Sequence, residues 1–325
     1  MEINSIVERA EELKEKGDIC RMQGDFDAAV KNYSGAIKLA KKIRDTIRAT
    51  DAKVGLGLSL RAQGKWKRAI RLIREAKMVY PKKGDSEGIA FTLWAEAGAL
   101  RIKGDIAGAI KVFKESYKIF RSIKHDSGVG YSLCGLGGTS RVAGGFKDSL
   151  KYYTAANKLF STVKDAFGIA YSYCGIGNAY RMIGDYKNAI TNFAKAVRLY
   201  KKIGDKVSYS YTIWSLGTTY KMIGDYKRAR DYFIRAMLLF KKTEDLRGII
   251  YCRLGLGELN FLEGRKTHAK RQLKAALYDS TKNSFAVEKC HAKTILSYMD
   301  GKIDNGCYNK LGLKLRFQGL PFNIP

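Results

Sequence analysis

No apolar run in this sequence approaches the ~18 residues needed to cross a bilayer, which excludes an obvious membrane-spanning helix. The opening residues, MEINSIVERAEELKEKGD, alternate charge with isolated apolar positions and lack the apolar core and small-residue cleavage site of a secretory signal. The expectation is a soluble, cytoplasmic protein without membrane insertion. No CxxC pair occurs among the six cysteines, Cys20, Cys134, Cys174, Cys252, Cys290 and Cys307, and a chain this long needs no disulfide staples, so reduced thiols are expected. Histidine is also scarce, with only His125, His268 and His291, and no Ser/His/Asp or paired-carboxylate arrangement stands out. Cys290 and His291 are adjacent, so they point to different faces of a helix, and no ligand pair has the short spacing of a zinc site. Neither an enzyme, a metal nor a cofactor is therefore expected. Acidic residues are the last shortage: 31 Asp and Glu stand against 60 Lys and Arg, a net charge of +29. That imbalance favours an anionic partner, whether acidic peptide, nucleic acid or lipid surface.

The 46% apolar and 28% charged composition is that of a folded chain, and 325 residues would ordinarily divide into two domains. A repeat overrides that division. Gly24, Gly64, Gly104, Gly144, Gly184, Gly224 and Gly264 fall at intervals of forty residues without insertion or deletion. Alanines keep the same step at Ala29, Ala69, Ala109, Ala189, Ala229 and Ala269, with Ser149 in the gap. Apolar residues recur at helical spacing on both sides of each GD, with no alternating strand pattern. Gly184 is placed to end one helix, and Asp185 to cap the N–H groups that open the next. Asp45, Asp85, Asp165, Asp205 and Asp245 occupy the second junction, so each unit is a pair of antiparallel helices.

Tyr173-x2-Ile176-Gly177-x2-Tyr180, followed by Ala189-x3-Phe193-x2-Ala196, resembles the tetratricopeptide (TPR) signature. The usual repeat has about thirty-four residues and a proline near its end; here the step is forty, and only Pro81 occupies that proline position. The extra residues fall in KKIGDK-type junctions, as in the long-repeat branch typified by kinesin light chain and by regulators of spindle orientation. The resemblance implies an all-α, right-handed α-solenoid of seven TPR-like helix pairs. Their approximate bounds are 5–44, 45–84, 85–124, 125–164, 165–204, 205–244 and 245–284. FAVEKCHAKTILSYM, 285–299, reads as a capping helix that covers the open face of the last unit. Residues 300–325 read as an extended tail whose Leu311, Leu313, Leu315 and Phe317 alternate toward one buried side, packed under the cap or else lying in a groove.

CGIGNAYR, 174–181, has the two closely spaced glycines of a phosphate-binding turn. Such a turn needs a preceding strand, and here the glycines recur mid-helix in other units, so they read as small spacers that let the two helices of a unit approach.

The resemblance further implies that the first helix of each unit lines a concave groove. Counting from Ala170, the second, fifth, ninth and twelfth positions share one helix face. The second reads Phe91, Tyr131, Tyr171, Tyr211, Tyr251; the fifth includes Trp94 and Trp214; the ninth includes Asn178; and the twelfth reads Arg21, Arg61, Arg101, Arg141, Arg181, Lys221. The arginines either meet a ligand or pair with a turn acid four residues on, as Arg101 with Asp105 and Arg181 with Asp185. The aromatics either meet a ligand or fill gaps between units, with Trp94 and Trp214 leaning toward packing. The functional expectation is a non-enzymatic interaction scaffold that holds an acidic or amphipathic peptide in a basic, aromatic-lined groove. Nucleic-acid binding over the basic surface and self-assembly into homo-oligomers through groove and tail are the alternatives.

Overall fold

The computed structural model describes residues 2–325. Fourteen helices follow one another as seven pairs: α1 (Glu2–Gln23) with α2 (Phe26–Lys42), α3 (Thr46–Ala62) with α4 (Trp66–Lys77), α5 (Ser86–Lys103) with α6 (Ile106–Ser122), α7 (Asp126–Ala143) with α8 (Phe146–Thr162), α9 (Ala166–Ile183) with α10 (Tyr186–Ile203), α11 (Lys206–Ile223) with α12 (Tyr226–Lys242), and α13 (Leu246–Leu262) with α14 (Lys266–Lys282). A further helix, α15 (Ala286–Met299), and the short α16 (Gly306–Lys310) complete the chain, and no strand occurs among the described residues. The protein is a right-handed, all-α solenoid.

The junctions follow from local chemistry. Gly104, Gly144, Gly184 and Gly224 adopt φ of 91 to 95°, the left-handed conformation that ends a helix and that glycine reaches without strain. At most breaks an aspartate then accepts a backbone N–H of the next helix, as Asp185 does from Asn188 and Asp205 from Ser208, whereas Lys65, Gly145 and Arg265 stand at that place without a side-chain cap. Where His125 replaces the aspartate, its Nδ1 accepts from Gly128 N at 2.9 Å and serves the same purpose. Pro81 shortens the second helix of its unit: α4 stops at Lys77, and a 3-10 turn, Tyr80–Lys83, carries the chain across.

The glycines of the first helices accept one large side chain from each second helix. A Cβ on Gly137 would lie 2.8 Å from the Tyr153 ring of its own unit, and one on Gly175, in the next unit, 2.1 Å from the same ring. Gly217 and Gly255 clasp Phe233 in this way, and Gly17 and Gly55 clasp Tyr33. The spacer glycines therefore close the contact between units as well as the contact within one.

That close stacking coils the array back on itself. The turn at Gly24 packs against Val207 and Thr243, and the turn at Gly64 against Phe285, about five units further along the chain. Trp66 Nε1 donates to Asn283 O at 3.2 Å across the same seam. The inner face is consequently the wall of an enclosed channel rather than of an open groove.

The C-terminal region departs from expectation twice. Cys290 and Cys307 form a disulfide, Cα atoms 5.5 Å apart, tying α15 to α16, so only Cys20, Cys134, Cys174 and Cys252 are free. Their separation of 17 residues matches no short cysteine motif, and only the turn after α15 brings them together. The tail also does both things that had been set against each other. Leu313, Leu315 and Phe317 are buried, Leu311 lies partly buried at the end of α16, and Phe317 and Phe322 pack with His291 and Tyr308 under the cap. Beyond Leu320 the tail turns inward and enters the channel, where Phe322 and Ile324 are buried. This path is accessible because the closed superhelix places the channel mouth beside the cap.

Gly175→Ala is expected to lower the unfolding free energy by about 1–3 kcal/mol, because Tyr153 has no free space to move into. Gly145→Ser, at the N-cap of α8 where serine is favoured and where an added Cβ would meet nothing closer than 3.4 Å, serves as the near-neutral control in the same urea titration. His291 is fully buried, its Nδ1 2.8 Å from Tyr308 Oη, and burial holds its pKa down at about 4. The unfolded chain takes up this proton near pH 6.5 and the folded chain only near 4, so about 3 kcal/mol of stability present above pH 6.5 is lost as the pH falls to 4. His291→Phe should flatten that part of the stability profile.

Candidate functional site: the inner channel

The cationic ladder rises along the C-terminal turns of the first helices, and Arg61, Arg101 and Lys221 each lie across the ninth-position residue of the next unit. A Cβ on Gly98 would fall 2.2 Å from Arg61 Nη1, and one on Gly138 2.5 Å from Arg101 Nη1. At the last rung the ninth residue is Glu258, and Lys221 Nζ lies 2.8 Å from Glu258 Oε1, though off the hydrogen-bonding direction, with both side chains fully buried. Glu258 had not been singled out in the sequence. The signal for it was present: twelfth-position cation and next-unit ninth residue are 37 positions apart throughout, and only this pair has an acid at the second place.

The turn-acid pairing does not form. Asp105 faces Lys103 at 3.9 Å, and Asp185 is taken up in capping Asn188. Arg21 differs from the other rungs, meeting Asp18 at 3.4 Å and Tyr33 Oη at 3.2 Å. Arg61 lies over the Trp94 ring at 5.6 Å, and Arg181 over Trp214 at 5.9 Å. Arg141 keeps Nε and Nη1 buried without a protein partner. Burial, and next to it the charge of Arg101, lowers the Arg61 pKa to about 10; burial and Arg141 lower that of Arg181 to about 9. Both stay charged at neutral pH, at a cost set by taking like charges out of water.

The aromatic rail divides. Tyr131 donates to Asp165 Oδ2 at 2.8 Å, binding it to the N-cap acid of the following unit, and Trp94 Nε1 donates to the Tyr131 carbonyl at 3.2 Å. Tyr251 likewise donates to Glu288 at 2.8 Å, and Glu288 in turn holds Arg247. Burial and Asp245 push the Tyr211 phenol up. Tyr171 stacks on Phe167, ring centroids 6.0 Å apart.

A cavity of about 310 Å³ is lined by Arg61, Arg101, Arg141, Tyr171, Tyr211 and Trp214, with Asn178 and Tyr200 also on its wall. The last two rungs, Arg181 and Lys221, are covered by the tail. Lys221 Nζ donates to Phe322 O at 2.8 Å while Glu258 Oε2 accepts from Phe322 N at 2.8 Å, so the backbone of one residue is held at both ends. Arg181 Nη1 donates to Asn323 Oδ1, and Asn323 Nδ2 returns a bond to Arg181 O at 2.9 Å. Asn178 Oδ1 steadies that guanidinium at 3.1 Å. Tyr131 and Trp94 do not line the cavity: their polar atoms are committed between units.

Two tetratricopeptide-repeat family models match the chain, over residues 16–85 and 170–203. No curated protein matches the sequence. Solved structures with the same fold include the Rap conjugation gene regulator of the plasmid pLS20 in complex with its Phr peptide, at TM-score 0.71 and 13% identity over 86% of this chain and 75% of that one. A Rap protein complexed with competence and sporulation factor gives TM-score 0.61 and 14% identity, covering 92% of this chain and 98% of that one. Aspartyl phosphate phosphatase F from Bacillus subtilis gives 0.62 and 14%, over 86% and 72%. At these identities the likeness is one of fold.

Removing Glu258 as Glu258→Ala leaves the Lys221 ammonium buried and uncompensated, and should cost about 3–5 kcal/mol in chemical denaturation. Arg141→Gln removes a cation that has no acidic partner and should cost far less or raise stability.

Proposed function

We propose that this repeat protein is a non-enzymatic scaffold whose inner face holds an extended peptide carrying acidic side chains. The observation that carries the reading is the grip on residues 322–323: a backbone amide and carbonyl bonded by Glu258 and Lys221, and a side-chain amide bonded both ways by Arg181. Extended chain is bound in this manner when main-chain hydrogen bonds supply affinity and neighbouring pockets supply selectivity. Two of the proteins sharing the fold are described in complex with a peptide or a factor, which supports the same mode. The acidic preference follows from Arg61, Arg101 and Arg141, whose guanidinium forks line the channel and suit carboxylate. Tyr171 and Tyr211 offer apolar faces beside them, and Tyr131, Trp94 and Trp214 stiffen the wall.

One protein of this fold is named a phosphatase. On the inner wall here burial pushes the Cys174 thiol up, away from a nucleophilic thiolate.

The test is an array of random peptides probed with the full chain and with Arg101→Gln/Arg141→Gln. Selected peptides should be enriched in Asp and Glu, and the double variant should bind them at least about tenfold more weakly, or about 1.4 kcal/mol. Selection of neutral or basic peptides would overturn the acidic preference, and no selection at all would overturn the peptide reading.

A further inference from the structure

The ladder solves the problem of buried charge in two different ways. At the last rung the protein supplies its own counter-charge, Glu258 against Lys221. At Arg61 and Arg101 it supplies glycine instead, Gly98 and Gly138, and at Arg141 it leaves Nε and Nη1 buried without an acceptor. Two more donors on the same cavity wall are unanswered: Trp214 Nε1, on a side chain 5% exposed, and Tyr200 Oη, on one 1% exposed. Buried donors and charges of this kind are costly unless something meets them.

We infer that this cavity is a binding site for a phosphoryl dianion, carried by a small molecule or by a phosphorylated side chain of the peptide proposed above. Charge is the first reason. Arg247, also on the wall, is neutralised by Glu288, Asp245 is engaged with Gly248 N at 3.0 Å, and Pro325, which shares the wall, forms no ion pair among the described residues, which leaves three guanidiniums without a paired carboxylate. A single carboxylate would match one of them; a phosphoryl group brings close to two negative charges at neutral pH. Donor number is the second reason. Three planar forks, an indole N–H and a phenol O–H exceed what two carboxylate oxygens accept, whereas a phosphoryl group offers three strong acceptors and pairs with arginine in bidentate fashion. Space is the third: 310 Å³ is on the order of ten waters' share of the liquid, room for the group and part of its carrier. Arg61, Arg101 and Arg141 remain partly exposed, so the cavity communicates with solvent.

In its peptide-borne form the inference rests on the proposed function; in its small-molecule form it does not. The experiment is calorimetric titration and thermal denaturation of the full chain at pH 8 and fixed ionic strength. The probes are inorganic phosphate, pyrophosphate, acetate, and one acidic peptide from the array in phosphoserine and serine forms. Phosphate or pyrophosphate should bind saturably, at least about tenfold tighter than acetate, and raise the melting temperature. Arg101→Gln/Arg141→Gln should abolish this, and so should Gly138→Glu, which gives Arg101 an internal carboxylate as Glu258 gives one to Lys221. Lys151→Gln/Lys158→Gln, which removes the same charge from exposed outer positions, should leave it intact. A phosphoserine form that outbinds free phosphate assigns the group to the peptide; the reverse order assigns it to a small molecule. Equal binding of phosphate and acetate, or binding retained by the arginine variant, overturns the site. An acidic peptide that binds through these arginines with no preference for phosphate would overturn this inference while leaving the scaffold reading standing. Phosphate binding without peptide binding would do the opposite.

Discussion

The clasp of one large side chain between two glycines sets the geometry from which the rest of this molecule follows. Tyr153 between Gly137 and Gly175, and Phe233 between Gly217 and Gly255, bring neighbouring first helices as close as backbones with no Cβ allow. The helical propensity lost at each glycine, about 1 kcal/mol, is offset by burial of a whole aromatic ring. Because glycine, alanine or serine holds these positions in the other units, the rotation between units stays tight, and the array returns to its own starting point after about five units. The seam from Gly64 to Phe285 is thus a distant result of a local steric fact.

Closure changes the electrostatics of the inner face. In an open groove the twelfth-position arginines would be solvated, and their mutual repulsion screened. Inside a channel they lose water and gain one another as neighbours, which is why Arg61 and Arg181 hold their protons less tightly than free arginine does. The tail and Glu258 relieve the far end of the ladder, and the near end is left positive.

The fold was legible in the sequence because its determinants are local and repeated: Gly184 and Asp185 announce a helix break wherever the pair occurs, and forty-residue spacing does the rest. The groove positions were legible too, since three- and four-residue steps on a helix leave little freedom. Pairing across units was harder to see. It required reading Lys221 against Glu258, residues that sit on different helices and are related only through the repeat. The Cys290–Cys307 bond and the inward path of Phe322 lay further out of reach, because both depend on segments outside the repeat, where no second copy exists for comparison. The assignment of the tail as either cap packing or groove ligand failed for a related reason: the two locations are separate only if the solenoid is open.

Contact of the first two units with the sixth, the seventh and the cap has a consequence for how such a chain can change over evolutionary time. Open solenoids tolerate the duplication or loss of a unit, since each repeat answers only to its neighbours. Here the insertion of one unit would carry Asn283 away from Trp66 and Thr243 away from Gly24, opening the seam along its whole length. The number of repeats is therefore part of the tertiary structure, as fixed as the blade count of a closed propeller, and point substitution rather than repeat copying is the route by which this inner surface can acquire new specificity.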